Sequence, residues 1–134
     1  MSNSIREYLP ILPAVFGFSL IALWLNFTQD DAYISYRYVA NFLNGHGLVF
    51  NIGERVEGFT NFGWVVYMIL WGGLGISYIV ISKLTGFLLG AATIIVTHNV
   101  ARVSFSDDKN WFRYLPAYLV GGNMSLAYWS PAGL

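Results

Sequence analysis

Two adjacent carboxylates, Asp30 and Asp31, stand where a long apolar run stops, in QDDAYISYRYVANFLNGHGLVFNIGERVEGFTNFGW, residues 29–64. Arg37, His46, Glu54, Arg55 and Glu57 follow within the same stretch. Asp30, Asp31, Glu54 and Glu57 are four of the chain's seven acids, and Arg37 and Arg55 two of its seven basic side chains. A carboxylate held beside a hydroxyl can take its proton, and cations nearby can neutralise a departing anion. These residue types therefore fit group transfer to a hydroxyl. They also fit a plainer role, because acids in the first turn of a helix complement its dipole whether or not they react. Thr28, three residues before Asp31, completes the spacing of a capping box.

The rest of the chain limits what this segment can be. Of 134 residues, 56% are hydrophobic, 18% aromatic and only 10% charged, against about 25% charged in a soluble domain. That composition is the composition of a membrane protein. Zero net charge leaves no basic patch for nucleic acid, and the absence of cysteine excludes disulfides, thiolate metal sites and cysteine nucleophiles.

Three apolar runs frame the polar segment. Residues 8–28 carry no charge and, at ~1.5 Å per residue, are long enough to cross a bilayer. A signal peptide would have a shorter apolar stretch and a small-residue cleavage site, whereas this run ends in Leu-Asn-Phe-Thr. Residues 76–101 form a second predicted span and residues 111–128 a third, with a loop at 102–110 and an end segment at 129–134. The fold class expected is an all-α integral membrane domain with about three transmembrane helices.

Within the loop at 29–75, residues 30–44 predict an amphipathic helix stopped by Gly45. Asp30, Tyr33, Arg37, Asn41 and Asn44 form its polar stripe, and Ala32, Tyr36, Val39 and Leu43 its apolar one. Residues 62–74 are too short to span, and Trp64, Tyr67 and Trp71 align on one face, which predicts a second helix lying at the membrane interface. With that segment flat, Arg6 and the Arg102–Arg113 basic residues share one side, and the acid-rich loop lies opposite. The positive-inside rule then makes residues 29–75 extracytoplasmic.

At this point the residues resemble a known family. The acidic pair after the first span, followed by YRYVANFLNGHGLVFNIGERVEGFTNF, is similar to the first extracytoplasmic loop of bacterial GT-C fold glycosyltransferases. The arabinofuranosyltransferase-like branch is the nearest in appearance, and the aminoarabinose and protein mannosyl transferases are more distant. The likeness covers nearly the whole chain, is densest over residues 30–64, and returns in the C-terminal YWSPAGL. Such enzymes have roughly ten or more spans, so the resemblance implies the N-terminal piece of a longer protein.

The resemblance implies inverting transfer of a sugar from a polyprenyl-phosphate donor to an acceptor hydroxyl of a glycan, lipid or protein, on the outer face of the bacterial cytoplasmic membrane. Asp30 matches the position of the general base, with Asp31 beside it as the second catalytic candidate. Arg37, Arg55 and Lys83 are the cations available to the lipid phosphate. Lys83 sits inside an apolar run, where it either meets a partner or snorkels to the headgroups. His46, between two glycines, is a candidate for acceptor or phosphate binding or simply for bonding its own loop. Glu57 is a candidate for sugar binding or for a local charge cluster with Glu54 and Arg55. The aminoarabinose branch carries a lysine where this chain has Gly58, so a phosphate contact must come from elsewhere. No ligand spacing marks a metal site, although Asp30, Asp31 and Glu57 are of the type that suits Mg²⁺, Mn²⁺ or Ca²⁺. A different class stays open: a small non-catalytic membrane subunit, or an inactive remnant of such an enzyme.

Overall fold

The structure, a computed structural model, describes residues 3–54, 56–105 and 111–133. The described residues are all-helical, without a strand. In chain order the helices are α1 (Asn3–Tyr8), α2 (Leu12–Leu25), α3 (Asp30–Leu43), α4 (Phe62–Gly73), α5 (Tyr78–Ser104), α6 (Leu115–Gly121) and α7 (Met124–Trp129), with single 3₁₀ turns at Leu9–Ile11, Trp111–Tyr114 and Ser130–Ala132. They fall into two units. One comprises Met1–Asn26 and Phe87–Ser130, the other Phe27–Gly86 and Pro131–Leu134.

Among the described residues, two helical stretches are long and apolar enough to cross a membrane: Arg6–Leu25, 20 residues with mean hydropathy 1.9, and Tyr78–Ser104, 27 residues with mean hydropathy 2.1. Within the first, Pro10 and Pro13 lack an N–H to donate, and the chain passes through the 3₁₀ turn at Leu9–Ile11 before α2 begins. The helix ends at Asn26, which adopts φ 34° and closes the last turn with its N–H on the carbonyl of Ala22.

In the first unit, Ile11, Ala14, Phe18 and Ala22 repeat at helical spacing and pack with Ile94, Ala117 and Ala127. Leu12, Phe16, Leu20, Leu23 and Trp24 on the remaining faces are exposed. A Cβ on Gly121 would lie 2.8 Å from the carbonyl oxygen of Ala14, so α6 meets α2 backbone to backbone. His98 is fully buried between Tyr8 and Tyr114, its ring stacked on the latter at 5.4 Å.

The third predicted span takes a different form. Residues 111–128 make a 3₁₀ turn and two short helices instead of one continuous helix, and neither is long enough to cross. The break falls at Gly121-Gly122-Asn123, where glycine weakens the helix and the Asn123 side chain accepts the Leu126 N–H at 3.0 Å, starting α7 afresh.

In the second unit, α3 packs on α4 through Ala32, Tyr36, Tyr38, Val39, Val65 and Met68. Its inner stripe is Ala32, Ser35, Tyr36 and Val39, all buried. Leu43, expected inside, is exposed, and only its tip reaches Gly72 near the end of α4. Gly45 ends the helix at φ +81°, with its N–H on the carbonyl of Phe42.

Candidate functional site

α3 begins where expected, yet its cap is not the expected one. The N-cap residue is Gln29, which makes no side-chain cap bond; its N–H goes to the carbonyl of Ala132 at 3.0 Å. Thr28 is therefore not the cap. Its hydroxyl instead accepts a hydrogen bond from the ammonium of Lys83 at 3.0 Å. The chain just before α3 is thus tied to α5 by Lys83 and to the C-terminal segment by Ala132. Asp30 and Asp31 occupy the first turn with both side chains exposed.

Three grooves among the described residues, two of them lined by α3, divide several of the predicted site residues. The first, of about 490 Å³, is lined by Tyr33, Tyr36, Arg37, Asn41, Phe50 and Tyr78 among others. Arg37 Nε donates to the carbonyl of Phe50 at 2.7 Å, and the guanidinium lies 5.0 Å from the centre of the Phe50 ring. Asn41 Nδ2 holds the same loop through the carbonyls of Val49 and Phe50. A cation is fixed here beside aromatic walls.

The second groove, about 430 Å³, brings His46 and Glu57 together with Val49, Val56, Phe59 and Phe62. The third, also about 430 Å³, has Asp31, Ser35, Phe59, Thr60 and Asn61 in its walls. Arg55 lies outside the described residues. Among the described residues no three His, Asp or Glu side chains approach closely enough to share a metal ion, so Asp30, Asp31 and Glu57 do not form such a cluster.

Several groups that shape the site carry no motif. Ser35 and the Asn61 side chain exchange hydrogen bonds at 3.2 and 3.0 Å. Asn61 also starts α4, its carbonyl accepting the N–H groups of Trp64 and Val65. An Asn before an apolar run is the one sequence signal that marks it. The Tyr36 hydroxyl shares a buried 2.8 Å hydrogen bond with Ser82. Burial raises the Tyr36 pKa above its ordinary value, the bond to Ser82 opposes this, and Tyr33 adds to the rise.

The aromatic stripe of α4 is real but half-buried, with Trp64 and Tyr67 bonded within unit two. Trp64 stacks on Tyr67 at 5.2 Å, and Tyr67 meets Trp71 edge-on at 6.2 Å. Trp64 Nε1 donates to the Gly133 carbonyl, and the Tyr67 hydroxyl pairs with Thr85 at 2.6 Å. Phe62 and Leu70 are the exposed apolar side chains of this helix.

Comparison with known protein families, curated proteins and solved structures finds no match to this chain. The functional reading therefore rests on the chemistry of unit two.

Proposed function

We propose that this chain belongs to a membrane glycosyltransferase of the GT-C type, which moves a sugar from a polyprenyl phosphate to an acceptor hydroxyl at the outer face of the cytoplasmic membrane. The observation that carries the reading is the placement of two exposed carboxylates, Asp30 and Asp31, just after Thr28, whose hydroxyl holds the ammonium of Lys83. A base and a cation set at the end of an apolar helix meet the needs of this reaction. The acceptor is water-borne or membrane-tethered, and the donor lies in the lipid.

In the proposed step Asp30 takes the proton of the acceptor hydroxyl. The oxygen attacks the anomeric carbon, the bond from that carbon to the phosphate oxygen breaks, and configuration inverts. The electron pair leaves on the lipid phosphate, whose negative charge Lys83 and Arg37 stabilise. Asp31 and Glu57 would contact sugar hydroxyls, and His46 lies beside Glu57 for the same purpose.

The membrane setting is supported by exposure. Only 22% and 17% of the two most apolar helical windows are buried, so these helices present apolar surface outward. Lipid satisfies such a surface, and water does not. In this setting α1–α2 and α5 cross the bilayer, α4 lies at the interface with Phe62 and Leu70 toward lipid, and residues 29–75 face outward.

The test is binding of the donor's lipid part. The chain in nanodiscs, examined by native mass spectrometry, is expected to retain a polyprenyl phosphate in preference to the corresponding neutral polyprenol. Lys83→Ala with Arg37→Ala should abolish that preference. Equal retention of both lipids by the unaltered chain, or a preference untouched by the double substitution, overturns the proposal.

A further inference from the structure

The two carboxylates of α3 do not face the same surroundings. Asp30 shares the exposed stripe with Tyr33 and Arg37, whereas Asp31 is turned about 100° around the helix and lines the groove that also holds Ser35, Thr60 and Asn61. We infer that this groove binds the hydroxyl groups of an uncharged sugar unit, with Asp31 as its anchoring acceptor. As the acceptor's binding place this deepens the glycosyl-transfer reading and rests on it; the binding itself does not.

The lining decides the class of ligand. None of its residues is basic, and its carboxylate repels anions, so phosphate and carboxylate ligands are disfavoured. Its polar side chains are an acceptor-only carboxylate, the hydroxyls of Ser35 and Thr60, and the Asn61 amide. A carboxylate takes two hydroxyl protons side by side, and hydroxyls and amides both donate and accept. Neighbouring hydroxyls on a sugar ring offer that alternation. The half-buried ring of Phe59 supplies an apolar wall for the C–H face of such a ring.

The groove is also built rather than incidental. Ser35, only 2% exposed, fixes the Asn61 amide through the reciprocal pair of hydrogen bonds. That amide keeps a second N–H and further lone pairs for a ligand. The opposite wall is held by the Tyr38 hydroxyl, which donates to the Val56 carbonyl at 2.8 Å and accepts the Gly58 N–H at 2.9 Å. A Cβ at Gly58 would come 2.9 Å from that hydroxyl oxygen, so the chain passes here as closely as a glycine allows. Phe59 packs on Tyr38 with ring centres 4.4 Å apart.

Saturation-transfer NMR on the chain in nanodiscs tests the inference, with the methyl glycosides of a pentofuranose and of two hexopyranoses as probes. At least one glycoside should bind. Asp31→Asn should weaken it about tenfold or more, the effect of losing a charge-assisted hydrogen bond. Thr60→Val, an exposed change that leaves the fold alone, should weaken it severalfold, and Arg37→Ala in the neighbouring groove should not. Absence of binding by every glycoside, or indifference to both Asp31→Asn and Thr60→Val, overturns the inference. So does weakening by Arg37→Ala alone, which would place the sugar in the aromatic groove. Retention of polyprenyl phosphate is scored separately. Donor binding without glycoside binding removes this groove and leaves the proposed function standing; glycoside binding without donor binding does the reverse.

Discussion

The indole Nε1 of Trp64 donates a hydrogen bond to the carbonyl oxygen of Gly133, 3.1 Å away and 69 residues further along the chain. One residue earlier, the Ala132 carbonyl accepts the N–H of Gln29, the residue that caps α3. The short segment Pro131, Ala132 and Gly133 is buried in unit two, and its last two carbonyls are taken by α4 on one side and by the cap of α3 on the other. It therefore acts as a strap across the turn that carries Asp30 and Asp31.

Gly133 is the sensitive point of that strap. It stands at φ +93°, and a Cβ there would run into the Tyr36 hydroxyl and lie 3.3 Å from the Cβ of Ala32. Gly133→Ala should destabilise unit two by about 1–3 kcal/mol from backbone strain alone, with the clash in addition. Trp64→Phe, which keeps an aromatic ring but loses the N–H and part of the indole's packing, should cost about 1–2 kcal/mol. Thermal unfolding in detergent compares them. An alanine variant as stable as the unaltered chain would show that the strap does not hold α3.

Tyr36 makes stability sensitive to alkali. Its pKa is raised in the folded chain by burial, so the folded state holds this proton more tightly than the unfolded one. The contribution is fully present below the ordinary tyrosine value of 10.0 and is lost as pH rises through the higher folded value. Tyr36→Phe should lower stability at neutral pH by about 1 kcal/mol through loss of the Ser82 bond, and should flatten the alkaline decline. Denaturant midpoints for the two proteins across the alkaline range measure this. Parallel curves would mean that Tyr36 ionises as readily folded as unfolded.

The two carboxylates should separate kinetically. In a preparation that turns over a lipid-linked sugar, Asp30→Asn should lower kcat by about 10²–10⁴-fold, the usual cost of losing a general base. Asp31→Asn should act mainly on KM for the acceptor, because it removes a binding contact present before the transition state. Near-normal kcat in Asp30→Asn, with the protein correctly inserted, would reduce Asp30 to a helix-start acid.

The charge distribution predicts opposite sides for the loop before α4 and the end of α5. The chain has no cysteine, so Asn51→Cys and Phe105→Cys each introduce a single thiol. A membrane-impermeant reagent should label Asn51→Cys in intact cells and Phe105→Cys only after lysis. Labelling of both from outside would reverse the assignment of residues 29–75.

Much of the architecture was legible in the sequence because its cause is local. A predominantly apolar run long enough to cross a bilayer can be read without knowing what it touches, and α2 and α5 follow from it. The same holds for α3, whose acids, apolar stripe and terminal Gly45 lie within one short segment, and for the length of α4. The third apolar run misled because hydropathy reports burial and not continuity. Gly121, Gly122 and Asn123 are apolar enough in company to extend the run, but Gly121 is needed for its backbone contact with Ala14, and Asn123 starts a new helix.

Tertiary structure alone decided the surroundings of the site, because each pairing joins residues with no shared pattern. Lys83 meets Thr28, Ser35 meets Asn61, Tyr36 meets Ser82, and Trp64 meets Gly133 across separations that no periodicity encodes. The sequence placed two carboxylates on adjacent residues, which makes them look equivalent. A rotation of about 100° per residue, with the packing of α3 on α4, turns one toward a polar groove and leaves the other on the stripe with Arg37.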